Sequence, residues 1–530
     1  MRQSGLKSGS SEKSEDGRRR EGNKVGFGKA GGLIRRTETC ECVSIAVCTT
    51  GLRALGKQAA VKGYPHWNYR LRNRGMIALA AGIWLRTKLH NGDDHTMSGK
   101  KKKSMKKTAV ELLKKTPLKP MWWKLKGVPP IYQIRHFLMD IHQDKLLFEW
   151  YPDIYRENAG GPVDERKVIF VENAMSGLSN SFQLLYNDLK ASGKYRIHVH
   201  HLGWYLIHRN EFEVNGARLV RDLGDARYVF LSEACHPLSC LSLRPETTVI
   251  QLWHGCGAFK KFGRSTATMM FGPDLAHINR HPQYENYSCV TVSSPEVVWA
   301  YEEAMGLEDR KGVVQPIGVS RTDVFFDQEY LDGARERVLK KVPQAEGKKV
   351  ILYAPTFRGL VARAETPDYE TFHLRKLKKA LGEDVIVLIK HHPIIKDYHM
   401  PKLPEDLKGT FAVDVTRTLS VEDLMITADV CITDYSSLIF EYSLLDKPLV
   451  FYAYDLEEYF DWRGFYYDYD ELTPGPVCQT MDELAAVLAK PGFGYDPEKM
   501  RLFRERFMRS CDGHSTRRIE EHVFGKSLRA

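Results

Sequence analysis

Three short segments carry side chains suited to general-base work and to holding a phosphate. The first is the β-branched run Thr248–Leu252, which leads straight into Trp253, His254 and Gly255. A histidine just past a strand end and followed by glycine stands where the backbone turns at a cleft rim, and its ordinary pKa suits a general base near neutrality. The second is the run Val385–Ile389, followed by Lys390, His391, His392 and Pro393. Adjacent side chains alternate in extended backbone, so at most one of these imidazoles faces a site, and a polar strand end closed by Pro393 is the plainer reading. The third is Val430–Thr433, then Asp434, Tyr435, Ser436 and Ser437, opening a helix through Leu445. Paired hydroxyls beside the free N–H groups of a helix start suit a phosphate, although a serine cap needs no ligand. Glu441, one turn further on, either accepts from ribose hydroxyls or pairs with a cation.

Two cationic loops belong to the same end of the second group of strands. Thr356 and Arg358 follow Val350–Ala354, and Arg417 and Thr418 follow Phe411–Val415. Hydroxyls with guanidinium groups at successive strand ends are what a diphosphate needs, because Arg engages two oxygens at once. The chain has no GxxxxGK[ST] loop, which excludes a P-loop NTPase, and no Asp-x-Asp-type pair or His/Cys cluster stands out as a metal site. The expectation is charge neutralisation by helix termini, hydroxyls, Arg and His, with no metal and no cofactor.

The elements that must position these residues form two series. Strands are expected at Val168–Val171, Ile197–His201, Tyr228–Leu231, Thr248–Leu252 and Val290–Ser293, with helices such as Asn180–Ala191 and Pro295–Met305 between them. After a polar stretch, Ala334–Lys349, strands follow at Val350–Ala354, Val385–Ile389, Phe411–Val415, Val430–Thr433 and Leu449–Tyr452. Their helices are Tyr369–Leu381, Val421–Thr427, Ser437–Leu445 and Met481–Leu488. The alternation predicts an α/β protein of two tandem Rossmann-like domains, 165–335 and 345–530, with a ligand cleft between them and closing helices from Pro497 to about Phe524.

The chain has 530 residues, 43% of them apolar, which is material for large cores. Its formal charge of +11 is unevenly placed, with +20 over the first 128 positions and −9 over the remaining 402. Basic charge confined to the front end gives no support to nucleic-acid binding by the folded body. Residues 1–96 are rich in Gly, Ser, Arg and Lys without a period and are not expected to fold; they read as a disordered leader or an upstream extension, with Met97 or Met105 as the alternative start. Residues 97–164 read as a basic, membrane-docking segment and lead-in. There Lys101, Lys102, Lys103, Lys106 and Lys107 precede Trp122 and Trp123, and each Lys gains about 1 kcal/mol near an anionic leaflet. A solvated linker and a nucleic-acid-binding arm are the alternatives. The ten cysteines lie mostly far apart, which fits a reduced, cytoplasmic chain, and the longest apolar run, Gly75–Leu85, is too short to span a bilayer.

The strings WHGCGAFKKFG (253–263), QPIGVSRTDVFF (315–326), ILYAPTFRG (351–359), VLIKHHP (387–393), DVCITDYSSLIFEYSLLDKPLVFY (429–452) and YDLEEYFDWRGFYYDYDELTPGPV (454–477) together resemble the CDP-glycerol glycerophosphotransferase family of teichoic-acid synthesis, over roughly residues 165–525. The resemblance implies a GT-B fold. It also implies transfer of a polyol phosphate, with glycerol phosphate favoured, from CDP-glycerol or CDP-ribitol to a hydroxyl of a lipid-linked acceptor, releasing CMP. By that resemblance His254 is the base, His392 the second histidine near the diphosphate, and Ser436 and Ser437 the phosphate-binding pair, while Thr356, Arg358 and Glu441 line the donor pocket. Many members follow WHG with Thr-Pro-Leu-Lys, whereas this chain has Cys256, Gly257, Ala258 and Phe259 before Lys260 and Lys261. That departure bears on the acceptor, and Cys256 is expected to be structural. The implied setting is the inner face of the cell membrane, with the enzyme bound peripherally. The competing readings are a GT-B glycosyltransferase with a nucleotide-sugar donor and a non-catalytic membrane- or nucleic-acid-binding scaffold.

Overall fold

Short β-branched runs, each too apolar to leave one face in water, are expected to pair in parallel and be covered on both sides. In the computed structural model they form two six-stranded sheets in which every pairing is parallel. The described residues are 139–528, apart from 174–176, 205–206, 268, 270–271, 273–274 and 360–363. The readings of residues 1–96 and of Lys101, Lys102, Lys103, Lys106, Lys107, Trp122 and Trp123 lie outside the described residues.

The first sheet comprises β1 (Asp164–Glu172), β2 (Arg196–His201), β3 (Ala226–Leu231), β4 (Thr248–Gln251), β5 (Cys289–Thr291) and β6 (Val314–Gln315), in the order β2-β1-β3-β4-β5-β6. The second comprises β7 (Lys349–Tyr353), β8 (Val385–Ile389), β9 (Ala412–Asp414), β10 (Val430–Thr433), β11 (Leu449–Tyr452) and β12 (Val477–Cys478), in the order β12-β11-β10-β7-β8-β9. The chain leaves β7 toward β8 and β9 on one side and leaves β10 toward β11 and β12 on the other. The crevice beyond the C-terminal ends of β7 and β10 is therefore a topological switch point, where doubly wound sheets bind ligands. Thr356 and Arg358 follow β7, and Asp434 to Ser437 follow β10.

The strands β6 and β12, two residues each, carry no period that a sequence can show. The helix Gln328–Lys341 occupies part of the stretch expected to be a polar joint. It buries only Ala334 and Val338, four positions apart, so its apolar stripe is narrow. The fold also begins earlier than residue 165, since Leu146, Leu147, Tyr151 and Tyr155 are buried in the core that contains Ile169 and Val229. The closing helices divide between the domains. Ile519, on the helix Ser515–Phe524, packs with Val168, Phe170 and Phe230 of the first sheet, and the Phe524 ring lies 4.8 Å from that of Tyr228. The last helix thus completes the first domain, and the chain crosses between the domains a second time. Among the described residues no helix is long and apolar enough to cross a membrane.

Candidate active site

β4 ends at Gln251, and the backbone turns within two residues. The sharp turn falls at Trp253, with φ +58°, and again at Gly257, with φ +62°, rather than at Gly255. A left-handed tryptophan costs roughly 1–3 kcal/mol and persists only where surrounding structure holds it. Here the Gln251 side chain accepts from the Trp253 N–H at 3.0 Å, and the indole is buried against Phe262 at 5.0 Å. The strain aims His254 into the cleft with its ring stacked on Trp253 at 4.6 Å. The His254 Nδ1–H donates to the Ser232 carbonyl at 3.3 Å, so Nε2 carries the free lone pair. The ring is open to solvent inside a cleft walled by protein. Desolvation first, then the charges of Arg321 and Lys260, lower its pKa to about 4.

Glycine at 255 and 257 serves close approach between domains. A Cβ on Gly257 would stand 2.3 Å from the Phe440 ring, and one on Gly255 would stand 3.4 Å from the Ser437 hydroxyl. The loop after His254 is stitched to the second domain's tail: Lys260 bridges Phe465, the Tyr466 N–H donates to the Phe259 carbonyl at 3.0 Å, and the Lys261 N–H donates to the Gly464 carbonyl at 3.1 Å. Two strings nearly two hundred residues apart in sequence are one structural unit here. Cys256 is buried in this unit and hydrogen-bonded to Cys511, with burial raising its thiol pKa, which leaves it no thiolate chemistry.

Arg321 locks that unit from below. Its Nη1 donates to the His254 carbonyl at 2.7 Å, its Nη2 to Glu422 Oε1 at 2.9 Å, and its Nε lies 3.3 Å from Glu441 Oε1. Glu441, expected at the donor ribose, is thus buried against a cation from the other domain, the second of its two sequence readings. Burial, opposed by Arg321, raises its pKa to about 7.

In the second domain the buried Asp434 carboxylate organises the switch point. It accepts from the Thr356 N–H at 2.8 Å, the Thr356 hydroxyl at 2.6 Å and Arg358 at 2.9 Å. Arg358 also forms a two-pronged pair with Asp455, at 2.6 and 2.9 Å, and stacks near the rings of Tyr435 and Tyr459. Thr356 and Arg358 therefore spend their polar atoms on this scaffold. Ser436 and Ser437 are half-buried at the start of Leu438–Tyr442, where the Ser436 hydroxyl accepts the Leu438 N–H at 3.3 Å. Arg417 donates to the Pro393 carbonyl at 3.0 Å and pairs with Asp397, shaping the loop beyond His392, while Thr418 is exposed and bonds back to Val415.

The two adjacent histidines point opposite ways. His391 is fully buried, with Nδ1 2.8 Å from the Thr366 hydroxyl. His392 opens into the cleft, and its Nδ1 accepts the Ile394 N–H at 3.2 Å, which leaves the proton on Nε2. Desolvation, then Lys260, His254 and Arg463, lower its pKa to about 3. His254, His392 and Lys260 are thus within one another's electrostatic reach. Lys260 and Arg463 lie outside the expected site residues; their signal was the Lys-Lys pair inside the WHG string and the Trp-Arg-Gly of the tail, which only the pairing of the two strings brings together. Among the described residues no group of three or more His, Cys, Asp or Glu side chains is gathered to hold a metal ion.

The family described as CDP-glycerol:poly(glycerophosphate) glycerophosphotransferase matches residues 154–525. A teichoic acid ribitol-phosphate primase of Bacillus spizizenii is 34% identical over 365 residues, 68% of this chain and 92% of the primase. The teichoic acid ribitol-phosphate polymerase TarL of Staphylococcus aureus is 34% identical over 367 residues, 68% of this chain and 62% of TarL. A teichoic acid glycerol-phosphate primase of Bacillus subtilis is 32% identical over 282 residues, 53% of this chain and 69% of that primase. A solved structure of the wall teichoic acid polymerase TagF superposes with a TM-score of 0.56 at 24% identity, covering 74% of this chain and 97% of that one, which shows a common GT-B-like fold. The chain belongs to the CDP-glycerol:poly(glycerophosphate) glycerophosphotransferase family and is a polyol-phosphate transferase of the teichoic-acid type.

Proposed function

We propose that the chain transfers ribitol phosphate from CDP-ribitol to a hydroxyl of a lipid-linked acceptor, with CDP-glycerol as the alternative donor. The single observation that carries the chemistry is the pair of imidazoles held in opposite tautomers across one cleft. His254 presents a bare Nε2 and serves as the base; His392 presents Nε2–H and serves as a hydrogen-bond donor to the diphosphate. Both pKa values lie well below neutrality, so both rings are neutral near pH 7, the state each role requires.

In the step itself, His254 Nε2 takes the proton of the acceptor hydroxyl as that oxygen attacks the phosphorus bearing the polyol. The bond from that phosphorus to the bridging oxygen breaks, CMP leaves with the bond's electron pair, and His254 returns its proton to solvent. Positioning and charge stabilisation supply most of the rate. Ser436 and Ser437 hold phosphate oxygens at the switch point; changing both to alanine is expected to weaken CDP binding about a hundredfold or more, roughly the loss of two hydrogen bonds to a charged group. Calorimetric titration with CDP checks this, and an unchanged affinity would remove the pair from the site.

The choice of polyol rests on the relatives. The four named for ribitol phosphate align over 68–71% of this chain, and the four named for glycerol phosphate over 53–56%. The sequence reading favours glycerol phosphate, and the family's description supports CDP-glycerol as a donor, so the ribitol choice is this proposal's own. The experiment is to supply each CDP-polyol with a lipid-linked acceptor and weigh the lipid product. A mass increment of ribitol phosphate supports the reading, and a glycerol phosphate increment alone overturns the ribitol assignment.

A lipid-linked acceptor places the reaction at a membrane surface, and the Lys-rich segment with Trp122 and Trp123 is proposed to hold the enzyme there. Changing Lys101, Lys102, Lys103, Lys106 and Lys107 to glutamine is expected to abolish co-sedimentation with anionic vesicles at physiological salt. Retained binding would contradict that role.

A further inference from the structure

A CDP-activated donor brings two negative charges into the cleft, and most of the cations that flank it are already spent. Arg358 is paired with Asp434 and Asp455, Arg321 with Glu422 and Glu441, and Arg417 with Asp397. Lys260 is different. It comes from the first domain, bridges Phe465 of the second, and carries its ammonium to 6.0 Å from the centre of the Phe357 ring. Around the same ring stand the Arg463 guanidinium at 4.9 Å and the His392 ring at 5.0 Å. No carboxylate among the described residues lies within ion-pair distance of Lys260. A desolvated ammonium with no carboxylate partner is unfavourable until an anion enters, and an anion is what the arrangement fits.

We propose that Lys260 binds the donor's diphosphate at the reacting phosphorus, carried into the donor domain's pocket by the same loop that carries His254. This inference rests on the phosphotransfer reading above. Five residues separate base and cation, so only the engaged pair of domains presents both to one substrate. Arg463, which also donates to the Gly359 carbonyl at 3.3 Å, borders the same anion.

The protonation of Lys260 supplies a signature that a structural lysine would lack. Desolvation first, then Arg463 and Arg358, with Asp434 opposing, lower its pKa to about 7. The groups facing it are Arg463, Arg358, His392 and Asp434 of the second domain and His254 of its own loop. Near pH 7.5 much of the free enzyme holds the neutral amine, while the diphosphate selects the ammonium. Binding must therefore take up a proton, and affinity must fall as pH rises further. The two imidazoles titrate too low to contribute there.

The test is calorimetric titration of the full chain with CDP and with cytidine at pH 7.5, in buffers of different ionisation enthalpy, alongside CMP release from the CDP-polyols. Wild type is expected to take up a proton on binding CDP. Lys260→Ala should bind CDP at least tenfold more weakly without proton uptake and lose about 10²–10³ in kcat/KM, the scale for removing one charge-stabilising donor. Lys260→Arg should retain binding and move its alkaline loss to higher pH. Unchanged cytidine binding in both variants shows that the pocket is folded. Wild-type CDP affinity and proton uptake in Lys260→Ala would overturn the inference. If wild type binds CDP through Lys260 yet releases CMP from no CDP-polyol, the reaction reading fails and the anion site stands.

Discussion

His254→Ala is expected to lower CMP release by about 10²–10⁴-fold while leaving CDP affinity within about twofold, because a positioned base accelerates the chemical step and does not hold the donor. The structure sharpens this expectation in two ways. First, the Ser232 carbonyl fixes the tautomer, so His254→Gln, which can donate to Ser232 but offers no basic nitrogen, should be nearly as slow as alanine. Second, an imidazole whose pKa is about 4 stays neutral through the physiological range. Loss of kcat/KM on acidification should therefore come below about pH 5, not near the ordinary histidine value. Steady-state CMP release between pH 4.5 and 8 measures both. A His254→Ala enzyme within tenfold of wild type would remove His254 from the chemistry.

The second large effect concerns Arg321. It ties the backbone of His254 to two carboxylates of the other domain, with side-chain exposures of 14% for Arg321, 2% for Glu422 and 5% for Glu441. Arg321→Met would leave both carboxylates buried without their cation, which costs about 3–5 kcal/mol for a broken buried pair. The sign of the pH dependence follows from Glu441, whose folded-state pKa is raised to about 7. A raised folded pKa means that the folded protein holds the proton more tightly than the unfolded one, so stability falls as pH rises through the folded value. Without Arg321 that pKa rises further, and the deficit should widen from pH 6 to pH 8. Urea unfolding at the two pH values checks it. Arg321→Met with Glu441→Gln should recover part of the loss, and absence of both the pH trend and the rescue would show that the triad does not carry this stability.

Much of the fold could be read from the sequence because the strands β8, β10 and β11 are β-branched or apolar runs buried throughout, and their bounds agree with the expectation residue for residue. The short strands β6 and β12 and the helix Gln328–Lys341 could not, since two residues make no period and a helix burying two side chains looks polar. The closing helices show another limit: Ile519 and Phe524 are ordinary apolar helix positions, and nothing in their spacing says which sheet they cover.

Candidate residues were legible at strand ends. Local pattern singled out His254, while His392, Ser436 and Ser437 became candidates through the resemblance, and the alternation of extended backbone separates His392 from the buried His391. What a local pattern cannot show is which charges are already paired. Arg358 and Glu441 look like ligand-binding groups until Asp455 and Arg321, about a hundred residues away in sequence, are placed beside them. Lys260 looks like a solvated lysine until Phe357 and Arg463 surround it.

If the cleft transfers a polyol phosphate from a CDP-activated donor, CMP release depends on donor and acceptor together. CMP release by the full chain, measured with a lipid-linked acceptor across CDP-ribitol, CDP-glycerol and a set of UDP-sugars, tests it most directly. Acceptor-dependent CMP release is expected with at least one CDP-polyol, and no nucleotide release from the UDP-sugars. Turnover of a UDP-sugar with both CDP-polyols inert would contradict it.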